Sequence, residues 1–250
     1  MQHDYNVYWD KLRHSIRYQP SNRFRSFLVK ELLENNFDMD ELHIADVGCG
    51  DGSLLQFISQ IKPNACLTGF DISSEQMDFN AQLYPLMRFF HFDAGNSAVP
   101  GELKETFDLV LSCEVIEHIE NDMQFIDNIL YLLKPGGTLF LTTISGKLRR
   151  LDKEVLGHFR SYEKKEICSL LAEKGINADK SYNTGFPIFS LQKRLVNVFY
   201  DFVIKKVASG RKPSVLIRLT MSCMYFGMVL CRKIPLGPQL VVIGRKPSHF

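Results

Sequence analysis

Three glycines at alternate positions, Gly48, Gly50 and Gly52, follow Asp46 at the end of a short apolar run, and an apolar helical pattern opens at once with Leu54, Leu55 and Phe57. That order of residue types makes a buried strand, a tight turn and a helix N-terminus. Glycine accepts φ > 0 without steric cost, and without a Cβ its backbone can come into contact with a ligand. The chemistry expected is ligand capture against backbone N–H groups at the carboxyl end of a strand, where open α/β sheets bind. The spacing is G-x-G-x-G, whereas dinucleotide folds seat a pyrophosphate with G-x-G-x-x-G, and no P-loop lysine follows.

A second acid, Asp71, ends the apolar run 65–72, about 20 residues past the glycine turn, where an acid accepts hydrogen bonds from a ribose diol. It reads equally as a helix N-terminal acid favoured by the dipole, worth ~0.3–1 kcal/mol. Ser73 and Gln76 follow in capping-box spacing. Groups able to move a proton stand further on: Glu117 and His118 after the fourth apolar run, and His158, Arg160 and Tyr162 around Gly157-His-Phe-Arg-Ser161.

The elements that must hold these residues alternate. Strands are expected at 44–46, 65–72, 87–92 (closed by Asp93-Ala94), 107–112 and 138–144, with helices between them. The helix carrying Phe125, Ile126, Ile129, Leu130, Leu132 and Leu133 should stop at Lys134-Pro135-Gly136-Gly137. Short connections between alternating strands and helices demand a parallel sheet covered on both faces. Residues 5–35 read as two helices broken near Pro20, one with Tyr5, Tyr8, Trp9 and Leu12, the other with Phe24, Phe27, Leu28, Leu32 and Leu33.

Taken together, Asp46-Val-Gly-Cys-Gly-Asp-Gly52, Gly69-Phe-Asp71, Phe92-Asp93-Ala94, Phe107 through Glu117-His118-Ile119 and Leu133-Lys-Pro-Gly-Gly137 form a series. It resembles the motif ladder of the class I S-adenosylmethionine (SAM) dependent methyltransferases. The nearest subgroup is the ubiquinone-biosynthesis-like O-methyltransferases and their small-molecule relatives. The resemblance covers roughly residues 40–145. It implies a Rossmann-like α/β fold, a doubly wound, mostly parallel seven-stranded sheet with an antiparallel last strand and a helical insertion before it.

The resemblance further implies SAM as cofactor, with Gly48 and Gly50 at its methionine part and Asp46 and Cys49 in the same turn. Asp71 would hold the ribose hydroxyls with Ile72 beside it, Asp93 and Ala94 would meet the adenine, and Cys113 would lie along the cofactor. Pro20-Ser-Asn-Arg23 matches the place of an arginine that meets the cofactor carboxylate, with Arg25 close by. Methyl transfer is an in-line displacement that mainly needs alignment and exclusion of water; a phenol or enol acceptor also gains from a base. His158 and, after it, His118 are the expected catalytic groups, although Glu117 and His118 suit a cofactor-side role as well. Ser112-Cys-Glu-Val is not the Asx-Pro-Pro-aromatic run of enzymes that methylate nucleic-acid bases, and no metal site is expected.

Charge divides the chain. Residues 186–250 hold 11 Lys+Arg and a single acid, Asp201, against 19 Lys+Arg and 27 Asp+Glu before them. An anionic partner is expected for the basic part. That part contains strands at 176–184 and 239–245, and between them helices at 186–206 and 214–233 rimmed by Lys193-Arg194, Lys205-Lys206, Arg211-Lys212 and Arg232-Lys233. The uncharged run 219–231 has 13 residues, short of the ~20 that cross a bilayer. The expectation is a hairpin packed on the domain, serving as a lid, as a peripheral contact with anionic membrane, or as a homodimer interface.

The organisation expected is capping helices at 1–39, a cofactor-binding core at 40–185, the hairpin insertion at 186–236 and the last strand and tail at 237–250, one structural domain overall. Six cysteines without C-x-x-C spacing, and an N-terminus with neither a basic nor an apolar signal region, fit a cytoplasmic protein, with membrane association through the hairpin as an addition. The function expected is methylation of a small, lipophilic molecule, O-methylation ahead of N or C. The alternatives are an inactive SAM-binding adaptor and, third, methylation of a protein or RNA through the basic C-terminal surface.

Overall fold

Apolar runs without polar alternation must be buried on both faces, and β1 (His43–Val47) and β2 (Cys66–Asp71) are buried at every position but the first. The computed structural model describes residues 18–39, 41–154, 156–199 and 213–248. With β3 (Arg88–His91), β4 (Phe107–Cys113), β5 (Leu133–Ile144), β6 (Asn177–Thr184) and β7 (Gln239–Arg245), these strands form one sheet of order β3-β2-β1-β4-β5-β7-β6. Only β7 runs against the others; it pairs antiparallel with both β5 and β6. The order reverses between β1 and β4, so the ends of these two central strands open a crevice at the carboxyl edge.

One departure from expectation lies at 134–137. The helix α4 (Asp122–Leu132) stops one residue earlier than the apolar pattern suggests, and the strand begins at Leu133 rather than Thr138. Pro and Gly end the helix as expected, but the chain stays in the sheet as a bulge: pairing with β4 jumps from Phe107↔Leu133 to Leu109↔Thr138. Gly136 adopts φ +77°, its N–H donates to Lys246 O, and Lys246 N–H donates to Gly137 O, which holds the extra residues in place. The third strand is also shorter than the run 87–92, and it is half-exposed at the sheet edge.

Each face of the sheet has its own apolar cluster. On one face lie α1 (Pro20–Asn36), through Phe24, Leu28, Leu32 and Leu33, then α2 (Ser53–Ile61), α3 (Ser74–Leu83) and Met228. Pro20 opens α1, where its missing N–H costs nothing. On the other face α4 contributes Phe125, Ile126 and Ile129, and α6 (Lys164–Glu173) contributes Ile167 and Leu171. A short helix, α5 (Arg150–Glu154), interrupts the connection between β5 and α6. The expected helix around Tyr5, Tyr8, Trp9 and Leu12 falls outside the described residues.

Between β6 and β7 stand α7 (Ile188–Val198) and α8 (Val215–Leu230), the latter capped by Ser214, whose Oγ accepts from Ile217 N–H. α8 packs on α1 and meets α7 where Gly227 leaves room for Ile188; a Cβ there would lie 3.1 Å from Ile188 Cγ1. The basic pairs at 205–206 and 211–212 fall outside the described residues. Among the described residues no helix is long and apolar enough to cross a membrane.

Candidate functional site

The glycine turn is fastened to the end of β2. Gly48 and Cys49 N–H groups both donate to Phe70 O (2.7 and 3.0 Å), and Gly50 N–H donates to Asp71 Oδ2 at 2.9 Å. Asn80 Nδ2 on α3 donates to Gly50 O at 2.8 Å. Gly48, Gly50 and Gly52 all have positive φ, so the alternating glycines are required by the backbone itself. A Cβ on Gly48 would come within 2.3 Å of Val115 Cγ2. The turn after β1 and the segment after β4 therefore touch at the crevice. The Cys49 side chain points down into the core, against Met77 Sδ at 3.8 Å, and its carbonyl accepts from Gly52 N–H at 3.0 Å, so the N–H groups of Gly48, Cys49 and Gly50 brace the turn itself and are not free to capture a ligand as the sequence suggested.

Beneath the turn lies an electrostatic irregularity. Asp46 is 2% exposed and its Oδ1 has no hydrogen-bond partner. Burial, with the nearby charges of Asp71 and Asp51 adding to it, pushes its carboxyl up to about 7, and Arg25 opposes the shift. Burial also raises Asp71, against the hydrogen bonds it accepts from Ser73 and Gly50 N–H. A buried carboxyl with an orphaned oxygen at the end of β1 fits a cationic ligand.

The remaining cofactor-side candidates sit at the same edge. Asp93 accepts from Gly95 N–H at 3.1 Å and Asn96 Nδ2 at 3.0 Å, with buried Ala94 beside it, and Ile72 is exposed next to Asp71. Cys113 ends β4, and burial holds its thiol well above the ordinary range, so it is no nucleophile. The two arginines of α1 diverge. Arg23 donates to Ser222 Oγ at 3.0 Å and stacks over the Tyr225 ring at 4.1 Å, while Arg25 lies 3.9 Å from Glu114 Oε2 and is felt by Asp46, Cys113 and Glu117. Arg25 is thus the arginine directed at the strand ends.

Two consecutive threonines of β5 hold two glutamates. Thr142 Oγ1 donates to Glu114 Oε1 at 3.0 Å, joined there by Gln239 Nε2 at 3.0 Å; Thr143 Oγ1 donates to Glu117 Oε2 at 2.8 Å. Glu114 takes φ +59°, a left-handed conformation unusual for this residue type. Glu117 is fully buried, and burial together with the Glu114 charge holds its carboxyl well above the usual range. Against it stand the two expected catalytic histidines, their rings edge to face with centroids 4.6 Å apart.

His158 is buried, and its loop is anchored by His158 N–H to Asp152 O and Phe159 N–H to Glu117 O, both 2.9 Å. Ligand atoms of Glu117, His118 and His158 lie within 4.8 Å of one another, a donor set that could relay a proton or hold a cation. Arg160 and Tyr162 are occupied elsewhere: both bind Asp122 Oδ2, at 2.7 and 2.9 Å. Glu114 and Asp152 carried no assigned role in the sequence, and no motif or spacing marked either of them.

Residues 45–139 match the family model described as "Methyltransferase domain". The ubiquinone biosynthesis O-methyltransferase of Chelativorans sp. (strain BNC1) is 32% identical over 118 residues, 46% of each chain. Residues 45–139 form a methyltransferase domain similar to those of the class I SAM-dependent enzymes. The mitochondrial ubiquinone biosynthesis O-methyltransferase of Dictyostelium discoideum is 26% identical over 163 residues, 56% of this chain and 50% of that one. The methyltransferase fold extends further: Haemonchus contortus phosphoethanolamine N-methyltransferase 2, solved with S-adenosyl-L-methionine, superposes with a TM-score of 0.58 at 16% identity, over 88% of this chain and 52% of that one. The chain spans about half the length of the curated relatives it matches.

Proposed function

We propose that this chain transfers a methyl group from SAM to a small, lipophilic acceptor, and that the atom methylated is oxygen. The observation that carries the reading is the orphaned, buried Asp46 carboxyl at the end of β1, by the crevice between β1 and β4. A carboxyl that burial keeps protonated near neutrality gains from a cation placed beside it. SAM, when bound, supplies that cation and the activated methyl on the same sulfonium.

In this reading the turn at Gly48, Cys49 and Gly50 lies against the methionine part. Asp71 accepts from the ribose diol beside Ile72, Asp93 and Ala94 meet the adenine, and Cys113 lines the wall. The carboxylate partner is Arg25 in place of Arg23. His158 removes the acceptor's proton, with His118 and Glu117 setting its orientation, and the loop carrying His158 excludes water. O-methylation is favoured because a base beside the acceptor helps a phenol or enol most; the O-methyltransferase relatives are consistent with it. The division into capping helices (1–39), core (40–185), hairpin (186–236) and last strand (237–250) belongs to this reading. So does a peripheral contact between the hairpin and anionic membrane at a cytoplasmic site of action, in preference to a homodimer.

Isothermal titration calorimetry with SAM and with its demethylated product, on wild type and Asp71→Ala, tests the proposal. Micromolar binding that collapses in the variant supports it and justifies a screen of phenols and quinols. Folded protein that binds neither ligand overturns it. SAM binding without transfer to any acceptor favours the adaptor reading.

A further inference from the structure

The outer faces of the two inserted helices are apolar. Along α8, Leu216, Leu219, Cys223, Phe226 and Leu230 follow one another at intervals of three and four residues, all exposed, Leu216 by 74% and Leu230 by 81%. This spacing puts them on one side of a helix. The opposite side, with Met228, Tyr225 and Val229, packs against α1 and α7. α7 repeats the arrangement with exposed Leu191, Leu195, Val198 and Phe199, and the chain enters and leaves the helices past exposed Phe186 and Leu236. Exposed apolar side chains in this number mark a contact surface rather than ordinary surface scatter.

The charge around the surface selects its occupant. Arg194, next to Leu195, and Lys233, just past the end of α8, are exposed, and the described residues between 186 and 238 include no Asp or Glu, whereas Lys193 and Arg232 are turned inward onto Asp152 and Glu31. A second copy related by a twofold axis would bring the same cations against themselves. An anionic bilayer accepts both features, burying leucine and phenylalanine at the acyl boundary and pairing lysine and arginine with headgroups.

The same helices grip the site. On the inner side of α7, Lys193 Nζ lies 3.3 Å from Asp152 Oδ1, which is 1% exposed; Asp152 O in turn accepts His158 N–H. α8 is held to α1 by Arg23 on Ser222 and by Arg232 on Glu31 Oε1 at 2.8 Å. Whatever the outer faces rest on is therefore fixed relative to both walls of the crevice. We propose that the outer face of α7 and α8 docks on an anionic lipid bilayer and holds the acceptor side of the site against it. The purpose of the docking rests on the lipophilic-acceptor reading; the surface does not.

The test is flotation of the full chain with vesicles of phosphatidylcholine alone and of phosphatidylcholine mixed with phosphatidylglycerol. Calorimetric titration with SAM runs in parallel. Wild type should float with the anionic vesicles and not the neutral ones, and release with salt. Arg194→Glu/Lys233→Glu should weaken binding by roughly fivefold per cation removed. Leu219→Glu/Phe226→Glu should abolish it, with SAM affinity unchanged in both. The emission of Phe226→Trp should shift to the blue on anionic vesicles only.

Wild type that stays unbound, equal binding to neutral vesicles, or variants that bind like wild type would overturn the docking. A wild-type dimer that Leu219→Glu/Phe226→Glu converts to monomer would assign the surface to a second copy. Vesicle binding without SAM binding sinks the proposed function and leaves the docking intact; SAM binding without vesicle binding does the reverse.

Discussion

Gly50 N–H donates to Asp71 Oδ2 at 2.9 Å, so the carboxylate proposed to hold the ribose also braces the glycine turn. Asp71→Ala removes the acceptor for both Gly50 and Ser73 N–H groups. It should cost on the order of 1–3 kcal/mol of stability as well as measurable SAM binding. Asp71→Asn keeps one acceptor oxygen and should retain most of the stability while still binding SAM more weakly. Urea unfolding beside calorimetry separates the two effects; equal stability loss in both variants would remove the bracing role.

Asp46 makes the site sensitive to pH in a direction that can be worked out. Its folded value of about 7 lies above the ordinary 3.8, so the folded state keeps a proton that the unfolded state gives up. Its contribution to stability is whole below about pH 4 and is lost as pH rises to about 7, to a ceiling on the order of 4 kcal/mol. Asp46→Asn should therefore match wild type at low pH and exceed its melting temperature at pH 8. Ligand affinity runs the other way. A bound cation favours the ionised carboxyl, so SAM should bind more tightly from pH 5 to 8, by up to about tenfold per unit below the folded value. Affinity that is flat with pH would dissociate Asp46 from the cation.

Gly48→Ala meets two obstacles, φ +81° and a Cβ only 2.3 Å from Val115 Cγ2. The conformation alone costs roughly 1–2 kcal/mol. Adding Val115→Ala should relieve the clash and leave the conformational cost. The double variant should recover part of the lost stability in thermal denaturation, and full recovery would refute the backbone argument.

His158→Ala should lower the transfer rate to a phenolic acceptor by about 10²–10⁴-fold while leaving SAM affinity unchanged, with a smaller effect for His118→Ala. Dialysis against a chelator distinguishes the two chemistries open to this cluster. An unchanged rate belongs to a proton-transferring imidazole. A rate that falls and returns with added divalent cation belongs to the donor set of Glu117, His118 and His158.

Lys193→Met leaves Asp152 buried without its cation. The expected cost is roughly 3 kcal/mol, and amide exchange in the loop bearing His158 should accelerate. Unaltered exchange there would mean the loop is held by its backbone bonds alone.

The sheet was legible because its strands are buried on both faces and therefore stand out as unbroken apolar runs, and the turn because three glycines are required where three positive φ angles occur. Direction was harder. Arg23 and Arg25 stand two residues apart on one helix, about 200° around its axis, so they leave on nearly opposite sides. Which of them meets the crevice depends on where α8 packs, and the sequence of α8, with Arg218 as its one charge, does not mark its inward face. The bulge at Pro135-Gly136 was hidden for a related reason: the residues that end a helix are also those that interrupt a ladder without leaving it. Glu114 holds a left-handed backbone that nothing in its residue type announces; Thr142 and Gln239, both distant in sequence, supply its partners.

Thr184 and Gln239 are direct partners in the β6–β7 ladder, so the chain leaves the sheet for α7 and α8 and returns to it at neighbouring positions. The excursion therefore begins and ends at one place on the sheet edge. Such an excursion can be lengthened, shortened or exchanged without disturbing strand register, because the entropy of closing it is set by its own length rather than by the core. The sheet and the excursion are in this sense separately replaceable, provided that the new segment also supplies partners for Asp152, Arg23 and Glu31.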